Sequence, residues 1–334
     1  MDELAAAFAP HGDVLRSAYP WFYDRWHRGL LGEATGPADH ARWRAEWTAW
    51  RPDVIHLNKQ CLEDGLDLIA AAEPMPVRKV ATIHITQSAH SLGARLGRLR
   101  DRRAKRALDA TFLPLIAVSA ARGDELRALL RPGARVEVID NGVPPAAACP
   151  DRAALRAREG LASTGVAILA VGRLEAQKNP LRFLDEINRL RNDRPALTAR
   201  WVGGGRLESA WLARRAELGL DDVVRFDDWR SDVAALLPAF DLFLHTADFE
   251  GLPLALLEAM NAGLPAIVSA GVRDQLPPHL REATVCLDDR AAVDALLDDA
   301  GERARLGAAG RAAVIRHHSV DTMAAAHERL YLSL

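Results

Sequence analysis

Short runs of β-branched and apolar residues alternate with longer Ala-, Leu- and Arg-rich stretches along most of this chain. The runs fall at 53–57, 80–85, 115–119 and 136–139, then at 166–171, 198–202, 223–226, 241–244, 265–268 and 284–287. Helical spacing fills the stretches between most of them, as at 124–130 and 180–191. This alternation predicts parallel sheets covered by helices on both faces. With 334 residues the chain is long enough for two such units. The best boundary is Asn141-Gly142-Val143-Pro144-Pro145, a turn and two prolines followed by small residues up to Pro150. The fold class is thus expected to be α/β, with two doubly wound, Rossmann-like domains. Ligands of such sheets bind outside the carboxyl ends of the strands.

Composition narrows the function. Lys and Arg number 43 against 45 Asp and Glu, a net charge of -2, so the overall field gives no reason to expect nucleic acid. Cys61, Cys149 and Cys286 are too few and too scattered for a disulfide framework, and a reducing compartment fits. The opening Met-Asp-Glu-Leu lacks the basic region of a signal peptide, and no apolar run approaches the ~20 residues of a spanning helix. A cytoplasmic protein is expected. Five of the eight tryptophans (Trp21, Trp26, Trp43, Trp47, Trp50) lie in the first 50 residues with Tyr19, Phe22 and Tyr23. They provide either a sugar-stacking or lipid-interface surface or, more ordinarily, filling for an irregular core.

The richest segment is Phe249-Glu250-Gly251-Leu252-Pro253-Leu254-Ala255-Leu256-Leu257-Glu258, which follows the run at 241–244 and leads into a helix. Pro253 suits the first helical position, where a missing N–H costs nothing. The amides of Gly251, Leu252, Leu254 and Ala255 then form a helix amino end ready for a phosphate. Glu250 lies in front of that site and Glu258 further along the helix. Two carboxylates flanking an anion site suit hydroxyl groups on the two sides of a diphosphate, such as sugar and ribose. A second segment, Val171-Gly172-Arg173-Leu174-Glu175-Ala176-Gln177-Lys178-Asn179-Pro180, also leaves a strand for a helix. Arg173, as a bidentate fork, and Lys178, as a point charge, can neutralise a diphosphate. The chain contains no Asp-x-Asp, and His317-His318 is a poor metal pair because helical neighbours point apart. A site served by cationic side chains, without metal, is the expectation.

These residues resemble the retaining glycosyltransferases of family 4, which have the GT-B fold. Glu250 and Glu258 match the E-x7-E signature, and 171–180 matches the donor-phosphate segment. Gly263-Leu264-Pro265 and Asp228-Trp229-Arg230-Ser231-Asp232-Val233 fit the same pattern. So do Asp53-Val54-Ile55-His56, Thr82-Ile83-His84, Val118-Ser119 and Asn141-Gly142-Val143 in the first half. Gly203-Gly204-Gly205 adds little, since it suits any tight turn.

The resemblance implies two domains facing a cleft: an acceptor-side domain over 1–144 and a nucleotide-sugar domain over 145–316. A helix within 317–334 would pack back toward the first. It implies that Gly172, Arg173 and Lys178 bind the donor diphosphate, that Glu250 holds sugar hydroxyls, and that Glu258 holds the ribose. The 251–254 backbone, with Gly251, Leu252, Pro253 and Leu254, would cradle the distal phosphate. Phe226 and Trp229 would line the nucleobase pocket, and His84 would face donor sugar and acceptor. His245 would support Glu250, and His56 would be structural. The implied reaction is retaining sugar transfer from a nucleotide diphosphate sugar, a co-substrate with no further cofactor, to a glycan or lipid-linked hydroxyl. Family members open with a strand and glycine-rich loop. Here residues 2–8 resemble the helix after that loop and 11–14 the helix end and the next strand, so the first domain is expected to lack its opening strand. The alternative function is therefore a weak or inactive relative that binds nucleotide sugar or a partner subunit.

Residues 92–108 carry Arg95, Arg98, Arg100, Arg102, Arg103, Lys105 and Arg106 against one Asp101, with Leu92, Leu96, Leu99 and Leu108 as a partial apolar stripe. Either this segment contacts an anionic membrane peripherally, or it is a solvated helix face.

Overall fold

The computed structural model describes residues 37–149 and 151–334. Among the described residues the first domain has a parallel sheet in the order β1 (Val54–Lys59), β2 (Arg78–Ile83), β3 (Leu115–Ala117), β4 (Val136–Val138). Helices α1 (Pro37–Trp50), α2 (Leu66–Ala72), α3 (Gly97–Ala110) and α4 (Ala120–Leu129) accompany it. Ile55 and Leu57 of β1 join Ile83, Leu115, Leu108 and Leu126 in its core. Trp43 is buried and Trp47 packs against this core, so these two aromatics fill space, whereas Trp50 is exposed. Tyr19, Trp21, Phe22, Tyr23 and Trp26, the expected helix at 2–8, and with it the expectation of a missing opening strand, lie outside the described residues.

The second domain has six parallel strands: β5 (Ala167–Val171), β6 (Thr198–Val202), β7 (Val224–Asp227), β8 (Leu242–His245), β9 (Ala266–Val268) and β10 (Thr284–Cys286). Their spatial order is β10-β9-β8-β5-β6-β7, so the winding reverses between β5 and β8 and opens a crevice at their carboxyl ends. Strand β5 is nearly all apolar because helices cover both its faces. On one side lies α6 (Pro180–Arg191), which buries Phe183, Leu184, Ile187 and Leu190 at helical spacing. On the other lies α9 (Leu254–Asn261), reached after α5 (Arg152–Arg158), α7 (Glu208–Glu217) and α8 (Val233–Leu236). The chain ends through α10 (Ala270–Arg273), α11 (Pro278–Arg281), α12 (Arg290–Asp298), α13 (Ala300–His317) and α14 (Val320–Ser333).

Ser319 caps α14 by accepting from Thr322 N, which starts a new helix after α13. The passage between domains is tied to this turn: Val143 N donates to His318 O at 2.8 Å, and Val320 N donates to Val143 O at 3.0 Å. Helix α14 then lies on the first sheet, where Leu330 and Met323 meet Val80, Ile116 and Ile139. The second domain thus returns a helix to the first and fastens it at the crossing.

Candidate active site

Several features converge at the β5/β8 crevice. Beyond β5 the chain turns at Gly172, against which the Lys178 stem lies: a Cβ there would be in ordinary contact with Lys178 Cδ, at 3.4 Å. Gly203, at φ 119°, closes the neighbouring turn so tightly that a Cβ would lie 2.5 Å from Gly172 O. The Trp201 indole N–H ties both turns together, donating to Gly172 O at 3.0 Å and to Gly203 O at 3.1 Å. A short 3-10 turn, Ala176–Lys178, then delivers Lys178, and Asn179 at φ 46° starts α6 with Pro180 in its first turn.

Lys178 Nζ hydrogen-bonds Glu250 Oε1. Glu250 is only 8% exposed, and His245 Nε2 stands 3.6 Å from the same oxygen, too far for a hydrogen bond but close enough to interact when charged. Burial pushes the Glu250 carboxyl up, but His245 and Lys178 outweigh it and hold the group below the usual carboxylate range. Gln177 Nε2 adds bonds to Phe249 O at 3.1 Å and Glu250 Oε2 at 3.3 Å. Glu258 is different: no side-chain partner is found for it among the described residues, and burial pushes its carboxyl up. It sits four residues into α9, about 6 Å along the axis from Leu254.

Pro253 is the N-cap of α9, with φ −70° and ψ 115°, and helical geometry begins at Leu254, one residue later than its placement at the first helical position would have it. The difference is small because Pro253 O still accepts the first intrahelical bond, from Leu257 N at 3.1 Å. The loop before it is held by the first domain. Ser119 Oγ donates to Gly251 O at 3.3 Å, and Asn141 Nδ2 donates to Leu252 O at 2.9 Å. A side chain at Gly251 would collide with the carbonyl oxygen of His84. The His84 ring is positioned by a 2.6 Å bond between Nε2 and Asn58 Oδ1, and burial lowers its pKa.

Two openings flank these groups. A cleft of about 720 Å³ lies between the domains, with Gln60, Ile85 and Leu92 on one wall and Arg173, Gln177 and Phe249 on the other. A second pocket, of about 640 Å³, is lined by Arg173, the glycines 203–205, Asp228, Trp229 and Arg230. Arg173 is exposed, borders both openings and is the link between them. Trp229, 64% exposed, lines the second pocket. Phe226 does not: its ring packs at 5.4 Å against Trp211 in the core, because alternation along β7 turns it inward. Leu252 is buried and Leu254 exposed. His56 is bonded to Tyr331 Oη at 2.5 Å and Thr82 Oγ1 at 2.7 Å, away from these openings. Among the described residues no group of three or more His, Cys, Asp or Glu is arranged to hold a metal ion.

The basic segment is only partly as its spacing suggested. Leu108 lies in the core, whereas Leu92, Leu96 and Leu99 are exposed. Arg100 pairs with Glu63, and Asp101 accepts from the Ala89 and His90 amides, fastening the 89–96 loop to α3. Arg98, Arg102 and Arg106 remain exposed. Among the described residues no helix is long and apolar enough to cross a membrane.

Comparison with known proteins gives a consistent picture. The family profile for glycosyl transferases group 1 matches residues 165–299, and that for glycosyltransferase family 4 matches 4–147. Glycogen synthase of Mycobacterium tuberculosis (strain ATCC 25618 / H37Rv) is 31% identical over 300 residues, covering 85% of this chain and 70% of its own length. A GDP-mannose-dependent mannosyltransferase of Corynebacterium glutamicum, acting on a monoacylated phosphatidylinositol monomannoside, is 31% identical over 189 residues, 52% of this chain and 49% of its own. Among solved structures, Anabaena Alr3699/HepE in complex with UDP and glucose superposes with a TM-score of 0.76 at 20% identity, covering 88% of this chain and 81% of that one.

Proposed function

Because the chain belongs to the family 4 glycosyltransferases and has the GT-B fold, we propose that it transfers a sugar from a nucleotide diphosphate sugar to a hydroxyl of a glycan or lipid-linked glycan, with retention and without a metal. The observation that carries this reading is the ionised, buried Glu250 held by Lys178 at the β5/β8 crevice, with exposed Arg173 beside it. An ionised, buried carboxylate accepts hydrogen bonds from sugar hydroxyls, while the cations face the diphosphate.

In this reading Gly172, Arg173, Lys178 and the amides at the start of α9 bind the diphosphate, and Glu258 takes the ribose. The bond from the anomeric carbon to the leaving phosphate oxygen breaks, and the acceptor oxygen bonds the carbon on the same face. The acceptor proton passes to that phosphate oxygen. His84 lies beside the donor sugar, across the Gly251 contact. The protein contributes charge stabilisation and positioning, and two side-chain cations perform the neutralisation that a metal would otherwise supply.

The acceptor side also fits a membrane surface. Exposed Leu96 and Leu99, 50% and 53% exposed, stand beside Arg98, Arg102 and Arg106, and the loop fastened to this helix carries Leu92 into the cleft. We place the enzyme in the cytoplasm, with this face against anionic lipid and the cleft near a lipid-linked acceptor.

The test is a thermal-shift screen of nucleotide diphosphate sugars, followed by product analysis with the stabilising donor. A donor that raises the melting temperature and is turned over by the wild type but not by folded Glu250→Gln supports the assignment. Wild-type turnover by that variant would overturn it.

A further inference from the structure

The crossing between the domains is fastened through a pair of histidines that no part of the transfer chemistry uses. His318 is 1% exposed and lies in the turn between α13 and α14, whereas His279 is on α11. Their Nε2 atoms are 2.8 Å apart. His318 Nδ1 stands 3.2 Å from Asn141 O, and Asn141 Nδ2 donates to Leu252 O at 2.9 Å. A chain of contacts thus runs from α11 to the loop before α9. Gly142 permits it, because a Cβ there would collide with the carbonyl oxygen of Ser319, the residue after His318.

The acceptors fix the hydrogens in this chain. A carbonyl oxygen only accepts, so His318 Nδ1 carries the proton and its neutral ring presents a lone pair at Nε2. His279 Nε2 is then the donor. One added proton is tolerated: it settles on His279 Nδ1 and leaves the bond between the rings intact. Neighbouring charges suit this first step. Asp140 lies near His279, and its buried Oδ1 accepts no hydrogen bond among the described residues. Glu282 also favours a charged His279, whereas His317, stacked on it at 4.3 Å, opposes it when protonated. A second proton must go to His318 Nε2, and two N–H groups then face each other at 2.8 Å. Attraction becomes repulsion, and burial opposes charge on both rings.

We infer that His279 and His318 form a latch on the loop before α9 that acid releases, with Asn141 as the positioning residue that transmits it. When both rings are charged they part, the turn at 317–320 shifts, and Asn141 loosens its hold on Leu252 O. Acid then weakens donor binding through the crossing, a consequence that rests on the reading of this loop as the diphosphate site. The latch itself does not depend on that reading.

The experiment is hydrogen exchange of the full chain at about pH 7.5 and about pH 5, corrected for intrinsic rates. Calorimetric titration with UDP, GDP and ADP accompanies it. Wild-type protection over 139–145 and 250–257 should fall roughly tenfold in acid, while that over α6 is unchanged. The affinity of whichever nucleotide binds should fall with it. His279→Gln should abolish both losses, because its amide donates to neutral His318 and, turned over, accepts from the charged ring. Asn141→Ala should lower protection over 250–257 at both pH values and leave the acid response of 139–145 in place. If His279→Gln does not fold, NMR of the wild-type histidine ring nitrogens decides. Two separate protonation steps for the pair uphold the latch, and one step at about 6.5 for both rings overturns it. Loop protection that ignores pH, an equal loss over α6, or a His279→Gln variant that loses as much as wild type also overturns it. If the loop responds to acid as expected but none of the three nucleotides binds, the latch stands and the donor reading of the loop falls.

Discussion

Lys178 and Glu250 form an ion pair whose carboxylate is almost entirely buried, with His245, among the described residues, as the other ionisable group facing the same oxygen. Removing the cation therefore does two things. Lys178→Ala leaves a buried carboxylate with less compensation, and it removes a charge proposed to stabilise the leaving diphosphate. We expect a loss of roughly 10²–10³ in turnover and about 1–3 kcal/mol in stability. Glu250→Gln should lose turnover with a much smaller change in stability, because the amide fits the same space without a charge. Denaturant unfolding beside donor turnover separates the two effects, and equal stability of both variants would contradict the burial argument.

Gly251 is the point where the loop before α9 touches the other domain. A methyl group there meets His84 O, just beyond β2, and stands 3.0 Å from Val118 Cγ2, just beyond β3. The backbone must move, since the nearest obstacle is a main-chain carbonyl and not a side chain that can swing away. Gly251→Ala is expected to cost about 1–3 kcal/mol and to weaken donor binding about tenfold by shifting the amides of the loop. Melting temperature and nucleotide affinity check this together. An alanine variant with unchanged donor affinity would show that the loop does not need this approach.

Much of this architecture was legible in the sequence. Every one of the ten apolar runs became a strand, and the expected helix at 180–191 agrees with α6 from Pro180 to Arg191. Parallel sheets bury their strands on both faces, so each strand reads as an apolar block between turns. Lys178 and Glu250 stand out in two separate segments, 72 residues apart, but their pairing depends on the reversal of strand order between β5 and β8, which local pattern does not encode. Gly203–Gly205 looked like an ordinary turn because the reason for glycine is the neighbouring Gly172 and Leu174 backbone and the Asp228 carboxylate. His279 and His318 are 39 residues apart, and nothing local marks them as partners. The resemblance implies a pocket role for Phe226, whereas side-chain alternation along β7 turns its ring toward Trp211.

The exposed face of α3 gives a prediction independent of catalysis. Leu99→Asp together with Arg102→Glu should abolish flotation with vesicles of anionic phospholipid at low salt. Neutral vesicles should not bind the wild type. Each basic residue at an anionic surface contributes about 1 kcal/mol, so reversing one charge and removing one apolar contact is enough to detect. Turnover of a water-soluble acceptor should be unchanged in the double variant. Equal flotation of wild type and variant would remove the membrane role from this helix.

His56 sets a pH limit on the docking of the last helix. Burial, then the nearby charges of His327 and His84, lower its pKa from 6.5 to about 4. The folded protein thus keeps the ring neutral, wedged between Tyr331 of α14 and Thr82 of β2, down to about pH 4. The unfolded chain takes up its proton near pH 6.5, so across this window the unfolded state binds more protons. Stability is therefore fully present above pH 6.5 and falls as the pH drops toward 4, by roughly 1–3 kcal/mol from this group. His84, His279 and His318 are also lowered, chiefly by burial, and act with the same sign. The measurement is urea unfolding at pH 7 and 4.5, with hydrogen exchange reporting on α14. Wild type should weaken at pH 4.5 and exchange faster over residues 320–333. His56→Gln should be less stable at pH 7 yet lose less on acidification. A pH dependence identical to wild type in that variant would show that the lock lies elsewhere.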